Sequence, residues 1–270
     1  MVTGGTGLIG KILVNSLRKR SCELTLLVRE NYVSNDDHKH EKLHFIRGDI
    51  TDRESLVKVV NGFDTVVHLA ASLRMFEKHH ELEKTNVDGL RNILYTYCSS
   101  GRPVNFIFAS SIDAVVRNSD YAASKRKGEQ IIRQFARKHP MFNYAILRIG
   151  NVYHEKKGGY EKMLTDLMKT DYWKASLIYH LLPNKKIYPI AIDKLTKKIN
   201  AIVFSQKSDQ VVNLYDRPVQ TKETLDKFIL EEKLNAPIKI PFSKLMLASW
   251  LFLGKLLKRG DLLIYFALEK

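Results

Sequence analysis

The sequence alternates short apolar runs with segments whose apolar residues recur at helical spacing. Continuous apolar runs are typical of buried strands, and the second spacing is typical of helices that bury one face. Strands are predicted at residues 24–28, 43–46, 65–71, 106–111 and 145–149, and helices at 11–20, 86–98 and from residue 121 onward. Because strand and helix alternate over the first part of the chain, we predict a parallel sheet with helices on both faces. Beyond residue 150 the alternation loosens, although a late strand at 211–215 and a helix at 222–233 are predicted.

A glycine-rich turn follows the first apolar residues of the chain. Gly4, Gly7 and Gly10 form a Gly-x-x-Gly-x-x-Gly pattern between a short strand and the first helix. In such a turn one glycine permits the sharp bend, one lets backbone approach a pyrophosphate, and one lets the helix pack closely on the strand. The N–H groups and the positive end of the helix would then face a dinucleotide phosphate. The predicted cofactor contacts in this loop are Gly4, Thr6, Gly7, Leu8, Ile9 and Gly10.

The end of the second strand distinguishes the two nicotinamide cofactors. An acidic residue there would bind a ribose 2′-hydroxyl, whereas an arginine accommodates a 2′-phosphate. Arg29 stands at this position and favours NADP over NAD, although Glu30 reduces the local positive charge and a plain surface arginine is the alternative. The ends of later strands extend the predicted cofactor-binding surface. One of them offers a carboxylate to the adenine amino group, and another has small residues that let the cofactor approach the backbone. These further cofactor contacts are Asp49, Ile50, Leu69, Ala70 and Ala71.

Tyr121 and Lys125 are four residues apart on a predicted helix and therefore share one face. A phenol titrates near pH 10. A neighbouring ammonium and the positive nicotinamide ring would favour the phenolate, so Tyr121 is predicted to act as general base or, in reverse, as general acid. Lys125 would also bind the nicotinamide ribose, and Ser111, at a neighbouring strand end, would hydrogen-bond the substrate oxygen. The alternative is an ordinary pair on a helix surface.

The chain is strongly basic, with 44 lysines and arginines against 29 acidic residues and a net charge of +15. Such a charge suits an anionic ligand, such as a phosphorylated cofactor, a nucleotide-linked substrate or an acidic membrane face, but solvated surface lysines explain it equally well. No nucleic-acid partner is predicted, because the lysines are scattered and no basic stretch is interleaved with aromatic residues.

Cysteine and histidine positions argue against structural metal or disulfides. Cys22 and Cys98 lack a metal-ligand spacing and indicate free thiols in a reducing cytosol. No metal site is predicted, because the pairs at 38–40 and 79–80 lack further ligands at a fitting spacing. The glycine loop occupies the place of a secretory signal, so we expect a cytoplasmic protein.

Residues 242–266 are apolar but interrupted by cationic side chains. Their longest uncharged run, residues 245–254, is too short to cross a bilayer. Two interpretations stay open: a helical lid that packs on the substrate region, which is favoured, and a peripheral contact with an anionic membrane surface.

Several motifs occur in one order along the chain, namely residues 3–10, Gly48–Asp52, 66–71, Asn86–Gly89, 109–111, Tyr121 with Lys125, and Leu147–Arg148 before 151–153. In this set the chain resembles the extended short-chain dehydrogenase/reductase superfamily, of the NAD(P)-dependent epimerase/dehydratase kind. The resemblance implies a Rossmann-type doubly wound parallel sheet that binds NAD(P) in residues 1–150. It also implies a smaller substrate-binding region at 151–270, interleaved with the end of the sheet. It further implies a catalytic trio of Ser111, Tyr121 and Lys125, with substrate contacts at Ser111 and Asn151; a homodimer is left open.

The chain departs from the family pattern in several places. Only two residues precede the glycine loop, and the chain ends before a stretch that many relatives possess. The segment between Ser111 and Tyr121 is shorter than in most relatives, which removes a substrate-side loop, and Ser110 is a substitute if the strand register differs. Sugar 4,6-dehydratases of this superfamily carry an Asp-Glu pair after the serine region, whereas this chain has Asp113-Ala114, so that activity is disfavoured.

Three functional hypotheses follow from these observations. The first is an NADP-preferring oxidoreductase or epimerase that acts on a secondary alcohol or ketone, with a nucleotide-linked sugar as substrate. The second is a hydroxysteroid- or lipid-type dehydrogenase, because residues 110–113 resemble a segment of 3β-hydroxysteroid dehydrogenases. The third is a non-catalytic NADP-binding regulator in which the shortened segment has abolished turnover.

Overall fold

The computed structural model describes residues 1–33, 42–57, 62–72, 79–98, 104–153, 186–205, 209–220, 222–223 and 226. The strands are β1 (Val2–Thr3), β2 (Leu24–Val28), β3 (Leu43–Arg47), β4 (Thr65–His68), β5 (Val104–Ser111), β6 (Phe142–Ile149), β7 (Asn151–Tyr153), β8 (Lys186–Ile187), β9 (Pro189–Ala191), β10 (Gln210–Leu214) and β11 (Val219–Gln220). The helices are α1 (Leu8–Leu17), α2 (Arg53–Val57), α3 (His79–Glu83), α4 (Gly89–Cys98), α5 (Asp113–Val116), α6 (Asp120–Lys138) and α7 (Ile192–Val203), with a π-helical segment at Lys84–Asp88.

Seven strands form one sheet in the order β10-β6-β5-β4-β1-β2-β3, and every pair in it is parallel. The chain builds outward from β1 to β3 and then returns to place β4 on the other side of β1. The predicted doubly wound parallel sheet is therefore confirmed. β1 and β4 are therefore neighbours at the point where the strand order reverses, and open α/β sheets bind ligands at the carboxyl ends of the strands beside such a point.

The central strands are apolar, as expected for a parallel sheet whose two faces are covered by helices. Phe106, Phe108 and Ile146 lie fully buried in one cluster with Leu90 of α4 and Ile132 of α6. Helix α6, the longest described helix, begins at a Ser119 cap whose Oγ accepts from the N–H of Ala122. Such a cap satisfies one of the donors that a helix start leaves free. The helix that carries two of the predicted catalytic residues is thus anchored both at its start and along its buried face.

Several element boundaries differ from the sequence prediction. Helix α1 begins at Leu8, inside the glycine loop, and not at residue 11. The predicted helix at 86–98 starts in a π-helical segment that continues α3. The late strand is confirmed as β10, which joins β6 in the large sheet. Of the predicted helix at 222–233 only isolated residues are described, and the whole segment at 242–266 lies outside the described residues.

The chain forms two compact units. The first comprises Met1–Gly150 together with Ile192–Tyr215, and holds the seven-stranded sheet. The second comprises Asn151–Ala191 together with Asp216–Lys270, and its described part contains two small sheets, β7 with β9 and β11 with β8. That the second unit binds substrate stays a prediction.

Within the part of the chain that the structure describes, no helix is long and apolar enough to cross a membrane. The same residues contain no group of three or more potential metal ligands. The histidines at 38 and 40 lie outside the described residues.

Candidate active site

The glycine loop closes tightly over the end of β1. Gly4 has a φ of +70°, and a Cβ there would lie 2.6 Å from the backbone nitrogen of Ala70. A Cβ on Gly10 would lie 2.2 Å from the carbonyl oxygen of Gly4. The Gly7 N–H donates to that same oxygen at 3.1 Å. Both positions thus require glycine, one for its backbone angle and close approach and the other for the contact between helix and loop.

Helix α1 leaves this loop without a side-chain cap. Gly7 is its N-cap residue and has no side chain that could accept, and the first turn contains no acidic residue. The first N–H groups of a helix have no intrahelical acceptor, and the helix dipole places partial positive charge there. An exposed loop with free donors and a backbone cradle fits the pyrophosphate of a dinucleotide.

Arg29 and Arg47 lie at the ends of two neighbouring strands. Val28 is the register partner of Arg47 in the β2–β3 pair. Arg47 donates to the carbonyl oxygen of Glu30, and its Nε lies 4.0 Å from the Glu30 carboxylate. The exposed Arg29 therefore has a cationic neighbour that partly balances Glu30. This arrangement suits a phosphate group at the strand end.

Asp49 and Ile50 are partly used by the protein itself. Asp49 Oδ1 accepts from the N–H and the hydroxyl of Thr51, at 2.8 and 2.9 Å. The side chain of Ile50 packs in the core against Gly89, and its carbonyl accepts from Asn92. Any contact between Ile50 and a ligand would therefore come from its backbone.

The residues after β4 pack closely on β1. The Leu69 N–H donates to the carbonyl of Thr3 at 3.1 Å, and the Ala70 N–H donates to Thr3 Oγ1 at 3.3 Å. Ala70 and Ala71 are partly exposed at this end of the sheet. The predicted contacts at residues 4, 69 and 70 are thus brought together around the end of β1.

Lys125 is the central charged group of the site. Its side chain is 3% exposed, and Nζ donates to the carbonyl oxygen of Ala109 at 2.8 Å. Nζ lies 5.7 Å from the ring centroid of Tyr121 and 5.1 Å from that of Phe108. Burial lowers the pKa of Lys125 to about 8. The predicted pair thus shares one helix face, and the lysine is tied to the strand that ends at Ser111.

The two serines at the end of β5 have different surroundings. Ser110 Oγ donates to Glu129 Oε1 at 2.7 Å, whereas Ser111 Oγ accepts from the N–H of Asp113 at 3.1 Å. Successive strand residues point to opposite faces, which explains the difference. Ser110 is therefore committed to the packing of α6, and its use as a substitute for Ser111 is disfavoured.

Glu129 joins Ser110 to a buried ion-pair network. Arg148 binds both Glu129 oxygens, at 2.9 and 2.7 Å, and Arg133 donates to Oε2 at 3.1 Å. Burial raises the pKa of Glu129, but hydrogen bonds from Arg148 and Ser110 outweigh this effect and hold the pKa below its ordinary value. The network keeps the carboxylate ionised and fixes α6 on β5 and β6.

Asn86 belongs to one of the family motifs, but the sequence analysis assigned it no role in the site. Its Oδ1 accepts from the N–H of Ser72 at 2.7 Å, and Nδ2 donates to the carbonyl of Ser72 and to Ser124 Oγ, at 3.1 and 3.0 Å. Ser124 Oγ in turn donates to the carbonyl of Tyr121 at 2.8 Å. Asn86 thus links the loop after Ala71 to the helix of Tyr121. The signals in the sequence were the Asn86–Gly89 motif and an amide at a core position of an apolar helix face.

His68 is a second buried polar residue that the sequence did not single out. Its Nδ1 lies 2.8 Å from Thr3 Oγ1, and its ring stacks on Phe108 at 6.1 Å between centroids. Burial, with a smaller contribution from the charge of Lys125, lowers the pKa of His68 to about 3. The imidazole is therefore neutral at physiological pH, which adds no second positive charge beside Lys125.

Asn151 belongs to the second unit. Its N–H donates to the carbonyl of Tyr188 at 2.7 Å, and its side-chain Oδ1 accepts from the N–H of Tyr188 at 2.9 Å. These bonds hold β7 beside the segment that leads into β9. A substrate contact at Asn151 stays a prediction.

Comparison with known proteins identifies the relatives of this chain. The chain is 34% identical over 181 residues to a UDP-glucose 4-epimerase of Erwinia amylovora, which covers 56% of this chain and 52% of that protein. It is 30% identical over 127 residues to a 3-beta-hydroxysteroid dehydrogenase of Mycolicibacterium neoaurum, covering 44% and 34%. The matched segment is therefore little more than half of the first relative and about a third of the second.

Among solved structures, the dTDP-glucose 4,6-dehydratase DesIV of Streptomyces venezuelae, with NAD and TYD bound, has a similar fold. The TM-score is 0.66 at 21% identity, with 87% of this chain and 81% of that chain covered. The model of the NAD dependent epimerase/dehydratase family matches residues 1–171, which include the whole of the glycine loop, Ser111, Tyr121 and Lys125. The chain belongs to the NAD dependent epimerase/dehydratase family, a family of enzymes.

Proposed function

We propose that the chain is an NADP-preferring oxidoreductase or epimerase that acts on a secondary alcohol or ketone of a nucleotide-linked sugar. The observation that carries this proposal is the position of Lys125. Its buried ammonium lies 5.7 Å from the Tyr121 ring and donates to the carbonyl of Ala109, two residues before Ser111. This arrangement supports Ser111, Tyr121 and Lys125 as the catalytic residues.

Bound nicotinamide dinucleotide supplies a hydride acceptor, and in its reduced form a hydride donor. The protein residues handle the proton. In oxidation, the Tyr121 phenolate takes the substrate hydroxyl proton while the C–H bond breaks with its electron pair and the carbonyl forms. Ser111 donates to the substrate oxygen, and the positive charge of Lys125 favours the phenolate. In the reverse direction the neutral phenol returns the proton to the carbonyl oxygen.

The test of this proposal is the Tyr121→Phe variant. We expect loss of turnover of UDP-glucose or UDP-N-acetylglucosamine, with the Kd for NADPH unchanged, because only the phenol oxygen is removed. A Phe variant that keeps the wild-type rate would contradict the assignment. A wild-type chain that binds NADPH but transfers no hydride to any of a panel of carbonyl compounds would favour the non-catalytic regulator.

The preference for NADP rests on the two arginines at the strand ends. Arg29 is exposed, and the carboxylate of its neighbour Glu30 is partly balanced by Arg47. A guanidinium recognises phosphate oxygens strongly. Arg29→Ala should therefore weaken the binding of NADP much more than the binding of NAD. Lys19→Ala, at another exposed position, should change the affinity for neither cofactor. An equal loss for both cofactors would refute the assignment.

The nucleotide-sugar substrate is supported by the similarity to a UDP-glucose 4-epimerase and by the net charge of +15, which suits a diphosphate. The second compact unit, with Asn151, is the proposed substrate region. A homodimer, a cytoplasmic location and a membrane contact through residues 242–266 stay predictions.

A second candidate is a hydroxysteroid-type dehydrogenase. The similarity to a 3-beta-hydroxysteroid dehydrogenase supports it. Exposed Val115 and Val116 follow the serine segment and offer apolar surface to a lipid-like substrate. Reduction of NADP by a 3β-hydroxysteroid, without turnover of a UDP-sugar, would favour this candidate over the first.

A further inference from the structure

A single guanidinium holds the connection between β5 and α6. Arg126 Nη1 donates to the carbonyl oxygens of Ala114 and Arg117, at 3.2 and 2.8 Å. Its Nη2 donates to Asn118 Oδ1 at 3.4 Å. Three acceptors from residues 114–118 thus converge on one side chain of α6. A guanidinium is suited to this role, because its donors are fixed in a planar fork.

The same connection is also bonded at its two ends. At the start, Ser111 Oγ accepts from the N–H of Asp113. At the end, Ser119 Oγ accepts from the N–H of Ala122 on α6. In between, the largely buried side chains of Asp113 and Arg117 form an ion pair at 2.8 Å. The bonds therefore run from the Ser111 hydroxyl, through residues 113–118, to Arg126.

Arg126 also follows Lys125 directly on the helix that carries Tyr121. Residues 112–119 connect Ser111 to that helix along the backbone. Arg126 adds a second link, because it binds the middle of this connection directly to α6. A movement of residues 113–118 would move the N–H that holds the Ser111 hydroxyl. Catalytic hydrogen bonds are sensitive to displacements of this kind, since donors must be aimed at the charge that develops.

We propose that Arg126 is a positioning residue that sets the orientation of the Ser111 hydroxyl relative to Tyr121 by clamping residues 114–118 onto α6. This inference rests on the proposed function of Ser111 and Tyr121. Arg126 acts through the connection and contacts neither of these two side chains in the bonds described above.

The test compares Arg126→Ala and Arg126→Lys with Lys127→Ala in the full chain. Lys127 is the next residue on α6 and is paired with Glu83, away from the connection, so its removal deletes one positive charge without touching the clamp. Three quantities are measured: turnover of UDP-glucose, the Kd for NADPH, and amide hydrogen exchange of residues 112–119.

For Arg126→Ala we expect a fall in kcat on the order of tenfold, faster exchange at residues 112–119, and an unchanged Kd for NADPH. Methylguanidinium added to this variant should restore part of the rate, which a general loss of stability would not allow. Arg126→Lys should be intermediate, because an ammonium cannot span the same acceptors. Lys127→Ala should match the wild-type chain in all three measurements.

Two results separate a failure of this inference from a failure of the proposed function. If Arg126→Ala keeps the wild-type kcat while Tyr121→Phe is inactive, the inference is overturned and the proposed function stands. The inference is also overturned if kcat of Arg126→Ala falls while hydrogen exchange at residues 112–119 is unchanged, or if methylguanidinium does not restore any of the rate. If Tyr121→Phe keeps the wild-type rate, the proposed function fails, and the inference fails with it.

Discussion

Lys125 Nζ donates a hydrogen bond to the carbonyl oxygen of Ala109 at 2.8 Å. This bond crosses from α6 to β5 and so joins the helix of Tyr121 to the strand that ends at Ser111. The ammonium is buried, and its pKa falls to about 8. The same burial that fixes the side chain therefore makes its charge costly, with a measurable effect on stability.

Stability should rise with pH through the titration of Lys125. Between pH 8 and 10.5 the unfolded chain holds a proton at Lys125 that the folded chain has released, so alkaline pH favours folding. The shift corresponds to a gain on the order of 3 kcal/mol across this range. Urea unfolding of Lys125→Met over the same range should lack this gain, whereas Lys127→Met should retain it. Parallel curves for Lys125→Met and the wild type would contradict the buried ammonium.

Ser110→Ala and Ser111→Ala should have opposite consequences. Ser110 donates to the buried Glu129, so its loss should cost about 2 kcal/mol of unfolding free energy, with kcat nearly unchanged. Ser111→Ala should lower kcat by about 10²-fold with a smaller loss of stability, because a charge-stabilising donor is removed. Urea unfolding and initial rates distinguish the two. If Ser110→Ala lowers kcat and Ser111→Ala does not, Ser110 has the catalytic role instead.

Gly10→Ala should block cofactor binding. The added Cβ would lie 2.2 Å from the Gly4 carbonyl oxygen, so loop and helix must separate. We expect a loss of about 3 kcal/mol in unfolding free energy, since overpacking displaces backbone on both sides, together with loss of NADPH binding by fluorescence titration. Gly62→Ala is the control. Its Cβ meets nothing within 4 Å, and its positive φ should cost about 1 kcal/mol without any change in NADPH affinity.

Asn86→Ala should weaken both stability and cofactor binding. The substitution removes the two bonds between Asn86 and the backbone of Ser72 and the bond from Asn86 to Ser124 Oγ. A loss of about 3 kcal/mol in unfolding free energy is expected from the removal of three hydrogen bonds at about 1 kcal/mol each. Because the freed segment adjoins Ala71, the Kd for NADPH should rise as well. Asn143→Ala, which removes an exposed side-chain bond to Asn105, should change stability by less than about 0.5 kcal/mol. Equal behaviour of the two variants would refute the bridging role.

The amino-acid sequence by itself determined the parallel sheet with its flanking helices, the glycine loop and the pairing of Tyr121 with Lys125. These features depend on the periodicity and spacing within elements and on the order in which strands and helices alternate, and both can be observed along the chain. Gly10 illustrates the point, since the atom that excludes a Cβ there is the carbonyl oxygen of Gly4, six positions earlier in the chain.

Only the tertiary structure decided which partners the polar residues take. Several of these hydrogen bonds join residues that are distant in sequence or lie on different elements. They are the bonds of Ser110 with Glu129, of Asn86 with Ser72 and Ser124, and of Arg126 with the connection. The return of β10 to the edge of the large sheet is of the same kind. Such pairings depend on the order of the strands in the sheet. They also depend on which polar groups are buried away from water and must therefore bond to each other. The spacing of residues along the chain specifies neither.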